Sequence, residues 1–247
     1  MPLDIRQFPC LSDNYGYLIR DRVSGQVAAV DAPDAAAVLA ELAASGWGRL
    51  DVILNTHWHP DHTQGAEAVK AQTGCRVAGP DESARVIALD QVLADGDAVA
   101  LGETTFDVIH TPGHTLGHIA FVDRRGGQAF VGDTLFALGC GRLFEGTPEQ
   151  MFESLNRLAS LPDDTRIWCA HEYTAANARF ALSLEEPDGE RRAALEAHVR
   201  DILALREAGR PTVPTVLGRE KQLNPFLRAP DAAAFAAVRA AKDQYRG

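Results

Sequence analysis

Asp51-Val52-Ile53-Leu54-Asn55-Thr56-His57-Trp58-His59-Pro60-Asp61-His62 decides how this chain is read. Val52, Ile53 and Leu54 form a short apolar run of the kind that makes a buried strand, and it passes directly into four side chains able to bind an ion. In extended backbone, residues i and i+2 project to one side, so His57 and His59 can grip one cation. Pro60 turns the chain, which leaves Asp61 and His62 free to address a neighbouring place. Such side chains at a strand end are costly as filler and need an ion or a full hydrogen-bond network. A single histidine beside an apolar strand is ordinarily a satisfied core or surface group; the clustering reverses that expectation.

Further candidates stand at other strand ends. His110 and His114 flank Thr111-Pro112-Gly113, Asp133 lies in Val131-Gly132-Asp133-Thr134, and His171 follows the strand Arg166-Ile167-Trp168-Cys169-Ala170. In α/β sheets, strand ends are where ligands converge. Imidazole and carboxylate donors without thiolates suit zinc, iron or manganese and do not select among them. Two ions about 3.5 Å apart, bridged by a carboxylate and a hydroxide, would use this inventory.

Outward from this core, Tyr15 to Ile19 and Val27 to Val30 read as strands with a turn at Ser24-Gly25. Asp34 to Ser45 reads as a helix with Val38, Leu39 and Leu42 on one face and Gly46 as its stop. Thr63 is the expected N-cap of a helix through Ala71. Strands dominate from Arg76 to Val131, with a turn at Asp95-Gly96-Asp97. Thr147-Pro148-Glu149-Gln150 carries a capping box, and Phe152, Leu155 and Ala159 are the expected inner face of its helix. After Tyr173 the pattern turns helical, over Ala175 to Leu184 and Glu190 to Glu207, with Leu195, Val199, Ile202 and Leu203 on one face. A Pro-rich stretch and a final Ala-rich helix follow. The pattern implies an α/β core to about residue 170 with a helical addition.

The length, 247 residues, accommodates one large domain or a core with an appendage. With 46% apolar and 23% charged residues, disordered, collagen-like and coiled-coil readings are excluded. Acids outnumber bases, 34 to 24, and a net charge of −10 repels phosphate backbones and anionic lipid, so neither nucleic acid nor membrane is an expected partner. No run of about 18 apolar residues is present. The stretch Met1 to Arg6 lacks the basic-then-apolar order of a signal peptide. Cys10, Cys75, Cys140 and Cys169 form no C-x-x-C pair and read as free thiols used in packing, which makes the cytoplasm the expected address.

The segment T-H-W-H-P-D-H matches the T-H-x-H-x-D-H motif of the metallo-β-lactamase superfamily. Within it the chain resembles the glyoxalase II (hydroxyacylglutathione hydrolase) family along nearly its whole length. The similarity lies in L-S-D-N-Y, T-P-G-H-T-x-G-H, G-D-T-L-F, G-C-G-R, E-G-T, H-E-Y-T, P-T-V-P, N-P-F and the terminal R-A-A-K-D. The resemblance implies an α/β fold, an αββα sandwich spanning 1–171, followed by a C-terminal helical substrate-binding domain, 172–247. It implies two divalent metal ions per chain, zinc first and iron or manganese as alternatives. His57, His59 and His114 would hold one and Asp61, His62 and His171 the other, with Asp133 bridging. Glutathione would meet Arg142, Tyr173, Arg239 and Lys242. Arg142 often stands as Lys in relatives, which keeps the charge and changes its geometry. Phe144 occupies a position where some members carry a tyrosine hydroxyl.

The implied activity is hydrolysis of S-(2-hydroxyacyl)glutathione, typically S-D-lactoylglutathione, to glutathione and D-lactate, the second step of methylglyoxal detoxification, by a monomer. Bridging hydroxide would attack the thioester carbonyl, with Asp61 orienting it. The thiolate, with a parent pKa of about 8.5, can leave with little acid assistance. His110 and His118 are expected to give hydrogen-bond support, His198 to be solvated, and Asp31 to support a ligand histidine or cap its strand. The alternatives are a one-iron dioxygenase acting on glutathione persulfide, a lactonase, β-lactamase or nuclease on the same scaffold, and a metal-binding sensor. The Arg- and Lys-bearing tail argues against the dioxygenase, the lactonase and the β-lactamase, the lack of a recognisable nucleic-acid domain against the nuclease, and the seven-ligand set against the sensor.

Overall fold

The computed structural model describes residues 3–184 and 189–246. Its first sheet runs β1 (Leu3–Cys10), β2 (Asn14–Asp21), β3 (Val27–Val30), β4 (Val52–Leu54), β5 (Arg76–Pro80) and β6 (Gln91–Leu93) in spatial order. β1 to β3 are antiparallel and β3 to β6 parallel. The second sheet begins with β7 (Ala98–Leu101), β8 (Thr104–His110), β9 (Ile119–Asp123) and β10 (Gln128–Gly132). Past β10 the chain makes a small hairpin, β11 (Leu135–Phe136) and β12 (Gly139–Cys140). β13 (Arg166–Cys169) then pairs parallel with β10, and β14 (Thr215–Val216) closes that edge antiparallel to β13.

Side-chain alternation along the strands sorts two cores. Tyr17 and Ile19 of β2, with Val52 and Leu54 of β4, face the second sheet, where they join Phe106, Phe121, Phe130 and Ile167. Leu18 and Ile53 point the other way, onto Val38 and Leu42 of α1 (Ala35–Ser45) and, past the one-turn α2 (Pro60–Thr63), onto Val69 of α3 (Ala66–Thr73). On the far side α4 (Pro148–Ala159) adds Met151, Leu155 and Leu158. This is the αββα sandwich. α5 (Thr174–Ser183), α6 (Gly189–Glu207), α7 (Leu217–Leu223) and α8 (Ala232–Gln244) complete the chain.

The expected helix signals hold at Asp34, whose carboxylate accepts from the Ala36 and Ala37 amides, at Gly46, which is left-handed with φ 68°, and in the Thr147–Gln150 capping box. Several expectations need correction. Thr63 does not cap a helix: it ends α2, and its hydroxyl donates to the His59 carbonyl at 2.9 Å, so α3 starts only after Gly65. The buried face of α4 is Met151, Ser154, Leu155 and Leu158, with Phe152 and Ala159 half-buried at its margins. Leu203 is 38% exposed, unlike Leu195, Val199 and Ile202. Strand β1 and the 3-10 turn Asp81–Arg85 escaped the reading. The tail is also not wholly helical, since β14 joins the second sheet.

One buried acid ties tail to hairpin. Glu220 is fully enclosed and accepts from the Leu138 amide at 2.8 Å, the Thr215 hydroxyl at 2.5 Å and the Asn224 amide at 3.0 Å. Burial raises its pKa, against the pull of these donors. Asn224 in turn donates to the Phe136 and Gly139 carbonyls. Leu138 sits at φ 54°, a conformation a leucine holds only when its surroundings demand it. Replacing Glu220 by Ala strands these donors, and thermal or denaturant unfolding should report a loss of about 3 kcal/mol. An unshifted midpoint would contradict the tether.

Candidate metal centre

The loops after the strands converge at one edge of the sandwich. Asp31 follows β3, His57 to His62 follow β4, His114 lies in the β8–β9 loop, Asp133 follows β10 and His171 follows β13. Three groups of ligand atoms, each mutually within 4.8 Å, form there: His57, His59 and His114; His57, His62 and Asp133; and Asp61, His62 and His171. The seven residues singled out in the sequence are thus brought together. Asp133 Oδ2 lies 3.3 Å from both His114 Nε2 and His171 Nε2, and Oδ1 lies 3.6 Å from His62 Nε2, so the carboxylate faces both ends of the cluster.

Supporting hydrogen bonds fix which ring nitrogen faces inward. The Thr56 hydroxyl gives its one proton to Asp31 at 2.9 Å and so accepts from His57 Nδ1–H at 3.0 Å. His114 Nδ1–H donates to the Arg142 carbonyl at 2.9 Å, His62 Nδ1–H to Asp31 at 2.7 Å, and His171 Nδ1–H to Asp13 at 2.8 Å. Each partner fixes the tautomer that turns an Nε2 lone pair into the cluster. The His57 Nε2, His59 Nδ1 and His114 Nε2 atoms then crowd together, at 3.1 and 2.9 Å. His62 Nε2 and Asp133 Oδ1 are buried without a hydrogen-bond partner. Converging lone pairs and buried polar atoms without a partner, of this kind, fit divalent cations.

Electrostatics agree. Burial drives the His57 pKa well below the ordinary histidine value and lowers that of His59, keeping both neutral and available as ligands. Burial also opposes charge on His62 and His171, but neighbouring carboxylates, Asp133 foremost, outweigh it; His62 is raised well above the usual value and His171 to about 10. Asp61 and Asp133 are held below the usual carboxylate range despite burial, chiefly by His171 and His62. Here protons sit where cations would compete for the same atoms.

A cleft of about 440 Å³ opens over the cluster. His59, Asp61, His114, Asp133 and His171 form its floor, and all four expected substrate residues, Arg142, Tyr173, Arg239 and Lys242, line it. Tyr173 stacks on His171 at 4.7 Å with nearly parallel rings. Arg239 is buried, donates to the Cys140 carbonyl at 3.0 Å and to Asp243 at 2.8 Å, and keeps a free Nε. Lys242 donates to the Ala176 carbonyl at 3.1 Å. Phe144, 63% exposed, lays its ring against His59 and His114.

Asp31 holds His62: its two oxygens take donors from Asn55, Thr56 and His62. His118 is buried, accepts the Asp133 amide at 3.1 Å and contacts Thr111 at 2.8 Å. Gly132 makes room for it, since a Cβ there would lie 2.6 Å from the His118 ring. His110 donates to the Leu116 carbonyl. His198 is not solvated: it is half-buried, and burial with nearby Arg219 takes its pKa down to about 4. The sequence reading missed Asp13, which holds His171, and Asn14, which donates to Asp61 at 3.1 Å. Both lie in L-S-D-N-Y, whose polar residues between two strands were the available signal.

The metallo-β-lactamase superfamily model matches residues 28–171, and the hydroxyacylglutathione hydrolase C-terminus model matches residues 172–245. A hydroxyacylglutathione hydrolase of Erythrobacter litoralis is 49% identical, covering 98% of this chain and all of that protein. One from Maricaulis maris is 52% identical over 93% of this chain and 88% of its own. Among solved structures, ETHE1 from Myxococcus xanthus superposes with a TM-score of 0.75 at 26% identity, over 98% of this chain and 92% of that one. TTHA1623 in a di-iron-bound form gives 0.57 at 28% identity, over 68% and 91%.

Proposed function

This chain belongs to the metallo-β-lactamase superfamily and, within it, to the hydroxyacylglutathione hydrolases; it is a metal-dependent thioester hydrolase, and we propose that the seven-residue cluster is where it acts. His57, His59 and His114 would hold one cation, Asp61, His62 and His171 a second, and Asp133 both. We propose zinc in both places; the same donors suit iron or manganese. When bound, such cations supply Lewis acidity and a water that ionises near neutral pH.

The chain's own residues do the rest. Asp31, Asp13, Thr56 and the Arg142 carbonyl hold the imidazoles in one tautomer and direction. Asp61, ionised and fixed by Asn14, is placed to orient a water by accepting its hydrogen bond. Arg142, Arg239 and Lys242 put positive charge on one side of the cleft, matched to the carboxylates of glutathione on an otherwise acidic protein. Tyr173 adds a stacking wall. The thioester carbonyl then lies over the cluster, and the thiolate departs without a protein acid. No serine or cysteine nucleophile is needed: burial pushes the Cys140 thiol up to about 12.

The observation that carries this reading is the single cleft that holds both the cluster and the three cations. We further propose S-D-lactoylglutathione as substrate, a boundary at 171/172 between catalytic and substrate-binding units, a monomer, and a cytoplasmic site. The free, buried state of all four cysteines supports the last of these. No helix among the described residues is long and apolar enough to cross a membrane. The test gives purified protein S-D-lactoylglutathione, follows thioester absorbance and counts metal on the same sample. Glutathione and D-lactate without oxygen uptake are expected; oxygen consumption with glutathione persulfide and one iron per chain would replace the reading with the dioxygenase.

A further inference from the structure

We propose that Glu82 and Glu145 form a two-carboxylate clamp that sets the metal affinity of the His57, His59 and His114 place independently of the Asp61, His62 and His171 place. The inference rests on the metal assignment above. Glu82, from the 3-10 turn, has a side chain only 5% exposed and accepts the Thr115 hydroxyl and the Gly117 amide, both at 2.6 Å. Glu145 accepts the Leu116 amide at 2.9 Å with one oxygen and the Trp58 indole N–H at 3.0 Å with the other. Three consecutive residues after His114 are therefore anchored on two acids from separate parts of the chain. Gly117 lets the two approach closely: a Cβ there would stand 2.7 Å from Glu82 Oε2 and the carboxylate would have to shift.

The second anchor matters because of where Trp58 sits. It lies between His57 and His59, and its ring packs edge-on against His59 at 4.8 Å. Arg85 covers Trp58 at 4.8 Å and is itself bound to Glu82, which closes the circuit. Among the described residues no hydrogen bond reaches His59 Nε2, so this ring is aimed by packing against Trp58 and Phe144 rather than by a hydrogen-bond partner. Residues beside Glu145 pin the same segment, with the Phe144 amide donating to the His114 carbonyl and the Gly146 amide to that of Gly113. The hydrogen-bonded supports of Asp61, His62 and His171 are Asn14, Asp31 and Asp13, none of which bonds Glu82, Glu145 or Trp58; among the described residues the turn reaches them only through Ser83, which donates to Asn55, itself a donor to Asp31. Loosening the clamp spreads one set of ligands and leaves the other in place, and such outer supports typically carry about 10- to 100-fold in metal affinity.

Metal-free protein titrated with cobalt(II), read by visible absorption and by competition with a chelator, tests this. Wild type should fill two equivalents. Glu145→Gln turns one amide N–H of the new side chain against a donor, and Trp58→Phe removes the indole N–H together with part of the ring that packs on His59 and lies under Arg85. Each should weaken one equivalent by about 10-fold and leave the other unchanged, with native far-UV circular dichroism. Asp13→Asn should weaken only the other equivalent. Two unaltered equivalents in both clamp variants, or equal weakening of both, overturn the clamp while leaving the metal centre standing. A wild type that takes up no cobalt overturns the centre and the clamp with it. Should Glu145→Gln fail to fold, Trp58→Phe alone decides.

Discussion

Asp133→Ala is expected to lower thioester hydrolysis by about 10³-fold or more, equivalent to roughly 4 kcal/mol of transition-state stabilisation, and to release metal from the purified protein. Among the described residues Asp133 is the one carboxylate within 3.3–3.6 Å of histidines from both halves of the cluster. It is buried, and His171 and His62 hold its carboxyl well below the usual range against that burial. Without it, two cations would sit among neutral imidazoles with Asp61 as their remaining counter-charge, a poor balance in a desolvated site. Asp133→Asn sharpens the comparison by keeping the shape and removing the charge. Metal content by elemental analysis and turnover on the same preparation provide the check. A variant that stays fully loaded and active would remove Asp133 from the centre.

The second large effect concerns binding and has a signed pH dependence. Burial, then the nearby charges of Arg239, Arg142 and Arg179, take the Lys242 amine down to about 8. Its charge, and with it the attraction for a glutathione carboxylate, is present below that pH and fades as pH rises through it. KM for the thioester should therefore be flat up to about pH 7 and climb above pH 8. Lys242→Ala should raise KM by about 10-fold or more at pH 7, the worth of a charge-assisted hydrogen bond, with kcat little changed and the alkaline limb gone. Steady-state kinetics between pH 6 and about 9.5 would read both. An unchanged KM, or an alkaline limb that survives the substitution, would place the carboxylate elsewhere.

The candidate metal ligands were legible early because their chemistry is local. His57, His59, Asp61 and His62 lie within one short stretch after an apolar strand, and few other uses suit that combination. Gly46 and the Thr147–Gln150 box were legible for the same reason, since caps act over three or four residues. Thr63 shows the limit. It has the composition of an N-cap, but its hydroxyl is taken by the His59 carbonyl, a competition visible only once α2 has formed. His198 looked like a surface histidine until packing half-buried it beside Arg219.

From its order of residues alone, the chain determined which donors are present, which strands carry them, and the family to which they belong. Tertiary structure decided what holds those donors: Asp13 on His171 across 158 positions, Glu145 between Trp58 and Leu116, and Glu220 of the tail under the β11–β12 hairpin. The reason is physical. A ligand atom is a property of one side chain, whereas its direction and affinity come from hydrogen bonds between segments that meet only when the two sheets have packed.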